Sequence, residues 1–363
     1  MVKGRILDSS PRDSSLPVDL IRTVAIFLVI LIHAAEEPFP ITDAINQTVI
    51  VRWLSVDIYN SIAHICVPLF VMLSGALLLQ PCKVDEPLRA FFKKRFVRIG
   101  LPLVFWGAAY FAWGYFADNK ALTVASIGQG ILTGPYYHFW YLYMLIGLYI
   151  VTPLLRVLVA NARRNMLRYF LLLWFIGTAI TSYLNLSGTY TLNSDLFLLT
   201  GYVGYFLLGF YFLNAPQLNS KILSTIAFIG LAWTAIGTYF VAYYIGGSKQ
   251  YFFMDFVSIN IILASAAVFL LLWKVPAEYV ETKSKPANRV IHFISQCSLA
   301  IYLMHLIILE SLQRGYFGFQ ISINTLNPIV EIPFVAIAAF LICLAILYPV
   351  SKIPKVKKII GVL

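Results

Sequence analysis

The chain has 363 residues, of which 60% are apolar and only 12% charged, with a formal net charge of +11. A soluble domain is nearer half apolar and a quarter charged, so this balance excludes an ordinary soluble enzyme. Aromatic residues at 15%, with 21 Gly and 17 Pro, equally exclude a disordered or collagen-like chain. The composition points to an all-α, polytopic membrane helix bundle.

A spanning helix needs about 20 mostly apolar residues. Ten stretches meet that description: 17–35, 54–79, 96–117, 139–159, 167–185, 197–214, 221–245, 254–274, 290–313 and 329–350. The sixth is the shortest. No repeat or low-complexity segment interrupts them, so 17–350 reads as one membrane domain between a polar leader, 1–16, and a basic tail, 351–363. With the N-terminus inside and the spans alternating, 22 of the 27 Lys and Arg residues fall in inside segments. Outside lie Arg52, Lys120, Lys249 and Arg314, and Arg22 lies within the first span. Cytoplasmic loops carry such an excess. Both termini are therefore expected in the cytoplasm, and the positive charge is explained without a nucleic-acid partner. The first stretch ends in His33-Ala34-Ala35, and His at the −3 position breaks the small-x-small rule for signal cleavage. A retained anchor is the expectation.

Ionisable groups inside spans are costly and mark functional positions. In the first span Arg22 and His33 are 11 residues apart, three helical turns plus roughly 20°, and so share one face about 16 Å apart along the axis. Asp19 lies one turn from Arg22 and is positioned to hold its guanidinium. Asp57 and His64 fall in the outer half of the second span. Leading into the third, Lys93-Lys94-Arg95-Phe96-Val97-Arg98 places two guanidiniums close together, a pattern suited to phosphates and equally to a topology anchor on anionic lipid. There is no Gly-rich Walker loop, so ATP is not indicated.

At the outer start of the fourth span, Tyr136-Tyr137-His138-Phe139-Trp140-Tyr141 reads either as an interfacial aromatic belt or as a stacking surface. The ninth carries Ser298, Tyr302 and His305 at helical spacing, followed by Glu310. Histidines in the outer half, with Glu36, Asp57 and Glu310 at similar depth, suit abstraction of a hydroxyl proton by an imidazole. Glu36, His138, Trp140, Tyr302, His305 and Glu310 are thus candidates for contacting an acceptor or supporting the base. The four cysteines, Cys66, Cys82, Cys297 and Cys343, have no paired spacing; they read as small core residues, and no metal site is expected.

Taken together, these motifs resemble the acyltransferase-3 family of membrane O-acyltransferases. The resemblance rests on Arg22, ten intervening residues and His33 within Val18-Asp19-Leu20-Ile21-Arg22, and on Val67-Pro68-Leu69-Phe70-Val71-Met72-Leu73-Ser74-Gly75. It continues through Arg95-x-x-Arg98 with Pro102, His138-Phe139-Trp140-Tyr141-Leu142, and Ser298-Leu299-Ala300-Ile301-Tyr302-Leu303-Met304-His305. Within the family the chain is most similar to the compact branch that includes the enterobacterial common antigen O-acetyltransferase. The resemblance implies a protein of the bacterial inner (cytoplasmic) membrane. It also implies a cytoplasmic acyl-CoA donor, usually acetyl-CoA, no permanently bound cofactor, and a saccharide or glycolipid acceptor near the outer face.

By the same resemblance His33 is the catalytic histidine, Arg22 its partner, and Arg22, Arg95 and Arg98 the acyl-CoA side. Relatives often carry Arg where this chain has His64. Many also carry a fused outer hydrolase-like domain, for which this chain has only the short basic tail, so the acceptor is expected to be handled by the membrane domain or a partner. Geometry and resemblance meet on one expectation: acyl-CoA docks on the inner arginines and His33 acts as general base on an acceptor hydroxyl, with a transient acyl-histidine as the variant. A proton-coupled transporter of a sugar, lipid or acyl donor and a non-catalytic scaffold are the readings from other classes. The acceptor, the acyl length and the oligomeric state are not encoded legibly.

Overall fold

A computed structural model of the chain describes residues 15–35, 47–187, 201–213, 215, 218–276, 285–321 and 327–363. Among them every regular element is a helix. Lipid offers no hydrogen bonds, and a helix satisfies its backbone within one segment. In chain order the helices are α1 (Leu16–Ala34), α2 (Gln47–Ala63), α3 (Cys66–Leu78), α4 (Leu88–Arg95), α5 (Leu101–Asp118), α6 (Val124–Thr133), α7 (Trp140–Asn161), α8 (Arg164–Ser187), α9 (Tyr202–Leu213), α10 (Ser220–Tyr244), α11 (Ile259–Trp273), α12 (Lys285–Gln313), α13 (Pro328–Val350) and α14 (Pro354–Ile360).

Eight stretches among the described residues are long and apolar enough to cross a membrane: Leu16–Ala34, Ile50–Leu78, Leu88–Asp118, Tyr137–Asn161, Ser220–Tyr244, Lys249–Trp273, Pro286–Gln313 and Pro328–Val350. The other two expected spans correspond to α8, of 24 residues, and α9, an apolar helix of 12. The chain is a polytopic helical membrane protein. The short helix α6 was not foreseen from the sequence. Its start is set by Thr123 and Ser126, whose side chains and backbone amides cap one another reciprocally.

The direction of the central helices can be read from their contacts. Asp19 meets His292, Arg22 meets Ser295, and the His33 ring meets that of His305, so residue numbers on α1 and α12 rise together. Parallel neighbours require an odd number of crossings between them, which the alternating ten-span reading supplies. Asp19 differs from its expected role: its Oδ2 lies 2.9 Å from His292 Nδ1, while Arg22 donates to Ser295 Oγ at 3.3 Å.

Local breaks in these helices have identifiable causes. The second span divides at His64-Ile65 because Pro68 lacks an N–H, and its ring clashes with the carbonyl four residues back, that of His64. Between α4 and α5 the backbone forms a π-helical turn, Phe96–Gly100, a wider winding that often occurs at functional sites and here carries Arg98. Helices α3 and α9 touch backbone to backbone. A Cβ on Gly75 would lie 1.7 Å from the Phe206 carbonyl oxygen, and one on Gly209 would lie 1.9 Å from that of Met72. Small residues permit this approach where lipid supplies no hydrophobic drive for helix association.

At the Arg22 end of the bundle, Arg156 on α7 is only 3% exposed. Its Nε donates to the Leu78 carbonyl at 2.7 Å, and its Nη1 to the Lys83 carbonyl at 3.1 Å and Glu86 Oε2 at 3.0 Å. Burial would raise the Glu86 carboxyl, but hydrogen bonds from Lys94 and Arg156 outweigh it and hold the group below its ordinary value. The basic tail is also tied down. Helix α14 leads to buried Ile360 and Val362, with Trp106 Nε1 donating to the Ile360 carbonyl at 3.1 Å and the Leu363 amide to that of Gln296.

Candidate active site

Two cavities lie on either side of one pair of tyrosines. The smaller, about 100 Å³, gathers Arg22 from α1, Lys83 from the turn after α3, Arg95 from the end of α4 and Arg98 from the π turn. None of its described lining residues is acidic. Arg95 is held over the rings of Phe91, at 5.4 Å, and Tyr149, at 5.6 Å. Lys83 Nζ donates to the Leu77 carbonyl at 2.9 Å. Ser298 lines the same cavity. Convergent guanidiniums without acidic neighbours favour an anionic group, and forked donors match phosphate oxygens in particular.

The larger cavity, about 410 Å³, is lined by His33 from α1, by Trp53, Asp57, Asn60 and His64 from α2 and the turn after it, and by His138 and Trp140 at the start of α7. Its volume falls in the range of small-molecule sites. Gln250, Tyr251 and Phe256 close the side formed by the turn before α11. Trp140 lies between Tyr202 and Phe256, with ring centroids 5.8 and 5.7 Å away. That placement makes it part of a cavity wall.

Tyr141 and Tyr302 line both cavities. Their ring centroids are 5.3 Å apart, and the Tyr302 hydroxyl donates to the His138 carbonyl. The two cavities are thus separated by little more than a pair of rings. Arg22 opens to one side and His33 to the other, as expected for groups three turns apart on one helix face.

Around His33 the histidines cluster. The His305 ring lies 5.1 Å from His33 and the Tyr137 ring 5.5 Å. His138 lies 5.6 Å from His305. His305 is fully buried, and its Nδ1 donates to the Tyr302 carbonyl at 2.6 Å. A carbonyl oxygen only accepts, so Nδ1 carries the proton. Nε2 is left as an acceptor with no hydrogen-bond partner in the structure. Both ring nitrogens of His138 are likewise buried without a partner. His33 and His138 both line the cavity, and His33 is the member of the trio that is only half-buried, which is the placement a general base requires.

Other expected site residues are placed elsewhere. Glu310 lines neither cavity. Its carboxylate accepts from Trp113 Nε1 at 2.8 Å, from the Tyr136 hydroxyl, and from Arg314 Nη2 at 3.1 Å. Hydrogen bonding to Asp118, together with Glu310, raises the Arg314 guanidinium above its ordinary value, so this cluster is a clamp across α5 and α12. Glu36 lies outside the described residues. His292, one turn and more from the Arg22 end of α12, is joined to Asp19 and, at 2.8 Å, to Gln296. Sequence reasoning missed Trp53, Asn60, Gln250 and Tyr251 as cavity residues. For the first two a signal was present: Trp53, Asp57, Asn60 and His64 recur at four- and three-residue steps on one helix face. Among the described residues no cluster of His, Cys, Asp or Glu has the arrangement of a metal site.

Comparison with curated proteins and with solved structures finds no match. A family model described as an acyltransferase domain does match, over residues 17–348, which takes in every helix from α1 to α12 and nearly all of α13. The chain belongs to this acyltransferase-3 family and is a membrane acyltransferase.

Proposed function

We propose that the protein is an O-acyltransferase, most simply an O-acetyltransferase, that moves an acyl group from cytoplasmic acyl-CoA to a hydroxyl of a surface or lipid-linked saccharide. Its seat on this reading is the bacterial inner membrane. The observation that carries the reading is the pair of cavities meeting at Tyr141 and Tyr302, one bearing four cationic side chains and the other bearing His33. A donor that is anionic at one end and acylated at the other fits that layout. Its phosphates bind Arg22, Arg95 and Arg98, and its thioester reaches the tyrosine pair.

The chemistry then follows from the His33 imidazole. It removes the proton of the acceptor hydroxyl, and the oxygen attacks the thioester carbonyl carbon. The carbon–sulfur bond breaks, and CoA leaves as the thiol by taking up one proton. His305 stands behind His33 with an open acceptor nitrogen, so the ring that gains the proton has a polar neighbour away from lipid.

In purified protein reconstituted in vesicles, the double variant Arg95→Ala/Arg98→Ala is expected to raise KM for acetyl-CoA by about tenfold or more, the scale of losing charge-assisted hydrogen bonds, with a smaller change in kcat. Release of the CoA thiol is the readout. An unchanged KM would refute the donor assignment.

A further inference from the structure

Two cations of the smaller cavity are held in place by a residue that does not line it. Arg156 follows Tyr149 by seven residues on α7, two helical turns, so both side chains leave the same face. Tyr149 lines the cavity and carries Arg95 over its ring, whereas Arg156 is buried behind it. The hydrogen bonds of Arg156 go to the end of α3 and the segment that joins it to α4. Its Nε takes the Leu78 carbonyl, one of those that a helix end leaves without an internal partner. Its Nη1 takes the Lys83 carbonyl and the Glu86 carboxylate. Lys83 is thereby fixed at both ends, since its Nζ donates to the Leu77 carbonyl. The same guanidinium lies over the fully buried Phe91 ring, 4.7 Å from its centroid, and that ring also supports Arg95, one turn further along α4. Arg156 thus reaches Lys83 by a bond and Arg95 through a shared ring.

The charges divide in the same way. Glu86, 3.0 Å away, neutralises Arg156, while the described lining of the smaller cavity holds no carboxylate. Lys83 and Arg95 therefore keep their charge for an anion, and Arg156 does not. A buried ion pair adds little net stability over apolar side chains of the same volume. What directed bonds to Leu78, Lys83 and Glu86 supply is a fixed geometry for the segment that carries the cations.

We propose that Arg156 is a positioning residue for the donor site: it presets Lys83 and Arg95 to receive the donor's phosphates and touches neither donor nor acceptor itself. This rests on the reading of the smaller cavity as the donor side.

The test uses the full chain in nanodiscs with labelled acetyl-CoA as the probe, and thermal unfolding is recorded on every sample. Arg156→Gln is expected to weaken binding by about tenfold, the scale of losing charge-assisted hydrogen bonds, and Arg156→Lys, which keeps the charge but not the planar fork, by less. Coupling separates positioning from a general loss of structure. Arg95→Ala weakens binding by about fivefold in the wild-type chain and by less than about twofold after Arg156→Gln, because Arg95 is then already displaced. In membrane vesicles, release of the CoA thiol at saturating acetyl-CoA stays within about twofold of wild type, an effect on KM without one on kcat. Glu86→Gln, at a half-buried position, shifts affinity in the same direction and serves if the Arg156 variants do not fold.

Unchanged affinity in folded Arg156→Gln or Glu86→Gln, an equal loss from Arg95→Ala in both backgrounds, or a fall in saturating turnover at wild-type affinity would overturn the proposal. Wild-type protein that binds no acetyl-CoA would remove the donor reading and the proposal with it, so the two failures are told apart.

Discussion

Replacing His33 by Ala is expected to lower acyl transfer by about 10²–10⁴-fold, the usual contribution of a positioned general base, while acetyl-CoA still binds. The separation follows from where the residue stands. His33 faces the larger cavity, whereas Arg22, Lys83, Arg95 and Arg98 line the smaller one beyond the Tyr141–Tyr302 pair. Truncation at His33 therefore removes the base without touching the cationic groups. Neither neighbour replaces it. His305 is fully buried with its Nδ1 committed to the Tyr302 carbonyl, and His138 is 1% exposed between the rings of Tyr110 and Phe139. Equilibrium binding of labelled acetyl-CoA, measured beside turnover, checks both halves. Substantial transfer by a folded His33→Ala protein would remove the base from the mechanism.

The second large effect is structural. Gly209→Ala is expected to destabilise the bundle by about 1–3 kcal/mol, the cost of overpacking, and Gly209→Leu to abolish recovery of folded protein. The new Cβ would lie 1.9 Å from the Met72 carbonyl oxygen, and backbone cannot swing aside as a flexible side chain can. Helix α3 would have to move, and with it Phe70, Leu73 and Ser74 in the smaller cavity. Loss of stability and loss of acetyl-CoA affinity should therefore appear together. Gly147→Ala on α7 is the control: nothing lies within 4 Å of its new Cβ, so it is expected to be neutral or slightly stabilising. Thermal unfolding in detergent compares the variants. A Gly209→Ala protein that melts with wild type would show that the α3–α9 contact is looser than the structure has it.

Much of the architecture is legible in the chain because lipid restricts it so strongly. Apolar runs of the right length, and basic residues segregated to alternate ends, leave few alternatives to a helical bundle. The Arg22–His33 pair is also legible, since an eleven-residue separation fixes two groups on one face of any helix. Arg95 and Arg98 are legible as well, since their three-residue spacing sets two guanidiniums close together, whereas the π turn that carries Arg98 is announced by no local pattern.

The failures share a cause: a side chain's partner belongs to a helix distant in sequence. Glu310 has the depth of an acceptor-side carboxylate, yet Trp113, Tyr136 and Arg314 claim it. Asp19 is spaced to hold Arg22, yet parallel α12 presents His292. Arg156 reads as one more boundary cation, yet it is buried against Glu86 and two carbonyls. Asn60 carries no charge to draw notice, and only the cavity shows that it joins Asp57 and His64 in one lining.

The central claim is that the donor enters on the side of Arg22 and the acceptor is served on the side of His33. Inside-out and right-side-out membrane vesicles from bacterial cells making the protein, each supplied externally with acetyl-labelled CoA, test it most directly. Label should enter membrane or envelope saccharide in the inside-out vesicles, should fail to do so in sealed right-side-out vesicles, and should be lost with Arg22→Ala. Equal labelling of both preparations, or labelling of right-side-out vesicles alone, would contradict the account.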